Sequence, residues 1–115
     1  MAILGELETR IMENLWQQGK PASVREIHEN LLNEKPLAYT TVMTVLDRLA
    51  KKGVVHRERS GRAWLYTPAR TRAELVVTAL VEALADARDE QADALAGFAG
   101  ALTDSQRAQL RRILG

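Results

Sequence analysis

The chain has 115 residues, 16 Lys and Arg against 15 Asp and Glu, a formal net charge of +1, and no cysteine. That length suits one small domain with an appendage. The lack of Cys excludes a disulfide framework, thiolate metal sites and cysteine nucleophiles. No apolar run is long enough to span a bilayer. The start, MAILGELETR, carries acids where a secretory leader carries a basic segment, so the expectation is a cytoplasmic protein with no membrane partner.

Along the chain, Leu7, Ile11 and Leu15, widened by Leu4, Met12 and Trp16, predict a helix from Glu6 to about Gln18. Gly19, Lys20 and Pro21 stop it. Ser23 and Glu26 have the spacing of a capping box and open a second helix, with Val24, Ile27 and Leu31 inward. Residues 33–36 form the next break. A third helix is expected over residues 39–52, with Val42, Val45, Leu46 and Leu49 buried. Its other side carries Thr40, Thr41, Thr44, Asp47, Arg48 and Lys51, with Met43 near the edge. Gly53 falls where a left-handed helix cap belongs.

Residues 54–59 and 62–67 then read as two strands joined at Ser60 and Gly61. Trp64 and Tyr66, two apart, share a face and are expected to pack under the hairpin. Thr71 and Glu74 form a second capping box. They open a helix to about Ala87 whose apolar face includes Leu75, Val76, Leu80 and Leu84. Arg88 to Glu90 interrupts the pattern. An Ala-rich helix with Leu95 and Leu102 follows, weakened by Gly97 and Gly100, each costing about 1 kcal/mol relative to Ala. Thr103 and Gln106 make a third capping box before a last helix with Leu110, Ile113 and Leu114 inward. The order predicts a mainly α protein with a small β-hairpin: a winged helix-turn-helix over residues 1–70, then a helical arm over residues 71–115 that is too short for a core of its own and needs a partner.

Charge is unevenly spread. Between Leu37 and Arg72 the balance is +6, against −2 before it and −3 after it. A concentrated basic segment in a near-neutral chain is the footprint of phosphate contact. The third helix fits a major groove: Thr40, Thr41 and Thr44 offer hydroxyl and methyl groups near its N-terminus, and Met43 an apolar contact. Arg48 and Lys51, further along, suit backbone phosphates. Arg57, Arg59 and Arg62 flank the hairpin tip with only Glu58 against them, and suit phosphates or the minor groove.

Three stretches, LGELETRIMENLW, LAYTTVMTVLDRLAKKG and RSGRAWLYTP, resemble the BlaI/MecI (penicillinase repressor) family of bacterial transcriptional regulators. The resemblance covers nearly the whole chain, including ALTDSQRAQLRRIL at its end. It implies a dimeric winged-helix repressor of inverted-repeat operators, often built around TACA and TGTA halves. It puts the DNA-contacting positions of the third helix on Thr40, Thr41, Met43, Thr44 and Arg48, and those of the wing on Arg59 and Arg62. It also implies interlocked C-terminal helices, matching a dimer face of Val76, Leu80, Leu84, Leu95, Leu110 and Ile113. In better-known members a membrane sensor protease, or a protease associated with it, cuts an Asn-Phe bond. Here that neighbourhood reads ALAGFAG, with Leu95-Ala96 at the aligned position and Gly97 before Phe98. The copper-responsive branch carries a C-terminal cysteine cluster, which this chain lacks.

Other functions find little support. His28 and His56 have no companion ligands at metal spacing, and no cofactor is expected. No glycine-rich phosphate loop, GxSxG or HExxH is present, so the chain is not expected to be an enzyme. The main alternative is a winged-helix protein-interaction module without sequence-specific DNA binding, since fold alone does not decide function. A direct ligand sensor would need its pocket at the dimer interface. The partners expected are a double-stranded DNA operator, a second copy of the chain, and a sensor protease or other inducer pathway.

Overall fold

Amphipathic helices cover a small sheet in the computed structural model, which describes residues 4–34 and 36–115. Residues 1–3 of the acidic start, and Lys35 in the break between the second and third helices, lie outside the described residues. In chain order the elements are α1 (Glu6–Gln18), β1 (Ala22–Ser23), α2 (Val24–Leu32), α3 (Tyr39–Lys51), β2 (Val55–Ser60) and β3 (Ala63–Pro68). Then come α4 (Arg72–Asp86), a 3-10 turn (Arg88–Glu90), α5 (Gln91–Ala101) and α6 (Asp104–Leu114). The chain divides after Val76 into two compact units.

The first unit is built on the predicted stripes. Ile11, Met12 and Leu15 of α1, Ile27 of α2, and Val42, Leu46 and Leu49 of α3 are fully buried around Tyr66 of β3. Each such aliphatic side chain contributes about 1.5–3 kcal/mol. The capping boxes form as their spacing requires. The Ser23 hydroxyl accepts from the Glu26 N–H at 3.1 Å while Glu26 accepts from the Ser23 N–H at 2.9 Å. Thr71 and Glu74 reciprocate at 3.0 and 3.1 Å. At the far end of α3, Gly53 has φ +76. Its N–H bonds the Ala50 carbonyl at 3.1 Å, and the Val54 N–H bonds Leu49 at 3.0 Å. This paired closure turns the chain sharply from helix into wing.

The sheet differs from the sequence expectation in two ways. It has three strands in the order β1-β3-β2, not two, because Ala22 and Ser23 pair antiparallel with Tyr66 and Leu65. A two-residue strand shows no alternation to read, and Ser23 also serves as the cap of α2. The hairpin loop sits one residue later than expected: Ser60 pairs with Ala63, so Gly61 and Arg62 form the loop. Gly61, at φ +62, takes the position that a side chain would strain.

Polar ties brace the unit. Glu8 of α1 accepts from the Gly5 N–H at 2.9 Å and from Lys52 at 3.1 Å, fastening α1 to the end of α3. Burial alone would raise the Glu8 carboxyl, but the Gly5 N–H and Lys52 outweigh it and hold it below its ordinary value. Arg10 pairs with Glu34. The Trp16 indole N–H donates to the Arg70 carbonyl at 2.9 Å, and the Arg72 guanidinium lies 4.7 Å from the Trp16 ring centre and 3.4 Å from Glu13. Leu75, in the first turns of α4, is buried in the same core. The compact unit therefore extends past the sequence boundary near Arg70 to Arg72.

The second unit lacks such a core. None of the residues of α5 or α6 is buried. Its local order comes from the third capping box, Thr103 with Gln106 at 2.9 and 3.1 Å, and from Arg107, which pairs with Asp104 and donates to the Ala99 carbonyl. Leu80, Val81, Ala83, Leu84, Ala94, Leu95 and Phe98 line an apolar cleft of about 290 Å³.

Replacing Gly53 by Ala tests the closure of α3. No atom lies within 4 Å of the added methyl, so the cost is backbone strain at positive φ alone. Urea unfolding should show a loss of about 1–2 kcal/mol.

Candidate nucleic-acid interface

Burial of Val42, Val45, Leu46 and Leu49 sets the rotation of α3 about its axis. It leaves Thr40, Thr41, Met43, Thr44, Arg48 and Lys51 exposed. The Thr44 hydroxyl donates to the Thr40 carbonyl at 2.9 Å, which engages its proton and leaves its oxygen as an acceptor. Ala38, the residue capping α3, offers no side chain to the first-turn N–H groups, so the positive end of the helix dipole is open to an anion. His28 steadies this end. Its Nε2–H donates to the Leu37 carbonyl at 2.6 Å, and its ring meets Tyr39 edge-on at 5.6 Å. His28 thus has a structural partner beside the apolar stripe. Tyr39, 45% exposed at the first position of α3, is a surface aromatic that the sequence reading passed over.

The wing carries its cations in two settings. Strand pairing puts Arg57 opposite Tyr66 and Arg59 opposite Trp64, so both arginines share the face of the two aromatic rings. Tyr66 is buried and Trp64 half-buried against the core, which agrees with the expectation that they pack under the hairpin. Arg57 lies 4.6 Å and Arg59 5.1 Å from the Trp64 ring centre, within cation–π range. Arg59 and Arg62 are exposed, Arg62 in the loop itself.

Arg57 departs from its expected place as a free tip cation. It donates to Asp47 of α3 at 3.0 Å, and its side chain is 31% exposed. The Tyr66 hydroxyl and the Asp47 carboxylate push its guanidinium further above its ordinary pKa. Asp47 also pairs with Lys51 at 3.1 Å. Lys51 and then Arg57 hold the Asp47 carboxyl below its ordinary value. Around this tie, Met43, Thr44, Asp47, Arg57, Trp64 and Tyr66 line a cleft of about 340 Å³ between α3 and the wing. Of the expected contact cations, Arg48, Arg59 and Arg62 have no ion-pair partner among the described residues. Lys51 and Arg57 do. The Lys51 tie was legible as an i, i+4 pair. The Arg57 tie needs the strand register and the approach of wing to helix.

The remaining chemistry is sparse. Among the described residues no three His, Asp or Glu side chains converge on a metal site, and no helix is long and apolar enough to cross a membrane.

Three helices, a three-stranded antiparallel sheet and a basic hairpin define a winged helix-turn-helix protein. The penicillinase repressor family profile matches residues 4–115, and the chain belongs to that family, whose members are transcriptional repressors and not enzymes. It is 45% identical over 113 residues to the transcriptional regulator BlaI of Mycobacterium tuberculosis, a match covering 96% of this chain and 82% of that protein. Among solved structures, it is similar to Bacillus licheniformis BlaI in its monomeric form in complex with the blaP half-operator. There the TM-score is 0.53 at 25% identity, over 62% of this chain and 85% of that one. It is also similar to the homodimeric winged helix-turn-helix DNA-binding domain Mb0332 of Mycobacterium bovis, with a TM-score of 0.50 at 25% identity over 76% of each chain.

The Asp47 tie has a direct titration test. A carboxyl held below its ordinary pKa stabilises the fold above the unfolded-state value and loses that contribution as pH falls through its folded value. The Asp47 carboxyl midpoint, followed by carbon NMR, should therefore lie below that of an exposed aspartate. It should move up in Lys51→Ala, and also in Arg57→Ala.

Proposed function

We propose that this protein is a homodimeric repressor that reads an inverted-repeat operator, with α3 in the major groove and the wing against the flanking backbone. The observation that carries the reading is one surface: the exposed Thr40, Thr41, Met43 and Thr44 edge, flanked by the unpaired cations Arg48, Arg59 and Arg62. In this arrangement the threonines and Met43 meet base edges. Arg48, Arg59 and Arg62 meet phosphates, which position the protein without carrying sequence information. Lys51 stands at the rim. The half-operator complex of Bacillus licheniformis BlaI supports this placement by family likeness. The expected place of action is the cytoplasm, with the chromosome.

Dimerisation falls to the helices from α4 onward. Val76 and Leu80 are each 50% exposed, Leu95 51%, Leu110 38% and Ile113 79%, with Leu84 half-buried. So much apolar surface on short helices without a core of their own favours burial in a partner. A two-fold dimer presents two recognition helices about one DNA turn apart and so matches a symmetric operator. Repression follows from occupying a promoter. The inducer pathway acts on this arm in our reading. Leu95 and Ala96 lie inside α5, so a protease would first have to unwind that helix.

Three unpaired cations per chain make six per dimer, which corresponds to a log–log salt slope of about −5 on duplex DNA. A slope near zero in a salt titration would refute the phosphate account. Arg62→Ala should weaken binding to all sequences and flatten the slope by about 2 per dimer. Leu80→Asp should give monomers in sedimentation. A variant that still sediments as a dimer would place the interface elsewhere.

A further inference from the structure

We propose that Asp47 is a positioning residue that ties Arg57 and Lys51 together, holding the wing against α3 and keeping two cations from phosphates. The proposal rests on the DNA-binding reading above and adds to it a device against sequence-independent binding.

Asp47 is the one acid of α3. It stands three residues after Thr44 and four before Lys51, on the edge that the reading turns toward DNA. An isolated carboxylate there would repel phosphates at every step along a duplex. Both of its oxygens are engaged instead. Oδ1 accepts from Arg57 at 3.0 Å, and Oδ2 lies 3.1 Å from the Lys51 ammonium. The trio carries +1 where Lys51 and Arg57 alone would carry +2. The other acid of the basic segment, Glu58, stands opposite Leu65 on the other face of the hairpin and does not serve in this way.

The tie is also mechanical. Arg57 is the wing cation that pairs with α3, its guanidinium 3.0 Å from the Asp47 carboxylate and 4.6 Å from the Trp64 ring centre. Arg59 uses the same ring at 5.1 Å but has no carboxylate. Two neighbouring wing arginines thus differ in role. Arg57 sets the angle between wing and helix, and Arg59 is left for the phosphate. Phosphate attraction is common to all sequences, so removing two cations from it costs random DNA as much affinity as it costs the operator. The fixed wing angle favours only the duplex whose groove fits.

Asp47→Asn keeps the shape of the side chain and removes its charge. Two probes serve: a mixed-sequence duplex, and a duplex selected by the wild-type protein from a random pool. Lys51 and Arg57 become available in both subunits. Affinity for the mixed duplex should rise about tenfold, with a salt slope steeper by about 2–4. The selected duplex should gain less, so that discrimination falls. Unchanged or weaker binding to the mixed duplex, with an unchanged slope, overturns the proposal. In Asp47→Asn combined with Arg57→Gln the extra slope should fall to about half; the full increase persisting there overturns the part given to Arg57. Backbone nitrogen relaxation of Val55 to Pro68 in the free protein should show a more mobile wing in Asp47→Asn, and an unchanged wing overturns the positioning role. If the wild-type protein selects no duplex from the pool and does not bind the mixed one, the DNA-binding reading fails, and wing mobility still decides whether Asp47 holds the hairpin.

Discussion

The packing of one face of α3 governs most of what this molecule presents. Val42, Val45, Leu46 and Leu49 sink into a core made by α1, α2 and β3. A helix buried along one stripe cannot rotate about its axis without exposing that stripe. The polar edge of α3 therefore points outward by default, and no polar contact is needed to aim it. The closure at Gly53 then starts the wing at a fixed place relative to the same helix. Reading edge and wing share one foundation, so a void beneath Leu46 or Leu49 disturbs both.

Electrostatics divides the basic segment more finely than its net charge suggests. A sum of +6 between Leu37 and Arg72 treats all cations alike. In the folded chain Lys52 is held by Glu8, Arg72 by Glu13 and Trp16, and Arg57 and Lys51 by Asp47. What remains for a polyanion is a smaller and more localised set, centred on Arg48 and the wing tip. The family membership and the exposed threonine edge agree with a surface of this kind, where discrimination matters as much as attraction.

Much of the fold was legible in the sequence, for physical reasons. The helices of the first unit carry strong apolar stripes, and three of the helix starts in the chain are marked by Ser or Thr followed three residues later by Glu or Gln. These are local signals, and local geometry answers them. The misses are non-local. β1 exists because Ala22 and Ser23 lie beside β3, not because of any pattern of their own. The hairpin loop moved by one residue because cross-strand pairing fixes register, and Gly61 can occupy either loop position in a pattern reading. Arg57 looked like its neighbours Arg59 and Arg62 until the register set it opposite Tyr66 and within reach of Asp47. The Thr40 to Thr44 edge was visible from helical spacing alone. The division of labour among the arginines was not.

Leu75 is part of the winged-helix core, while Val76, the next residue, is half exposed. Trp16 is occupied by the carbonyl of Arg70 and the guanidinium of Arg72. The surface proposed for DNA ends with the wing at Pro68, but the packed core continues to Leu75. A fragment cut at Arg70 would leave an empty socket where Leu75 sits and take the Arg72 guanidinium away from the Trp16 ring on α1. An autonomous DNA-binding fragment of this protein must therefore retain the first turns of α4, and any fusion or truncation design should place its junction beyond Val76.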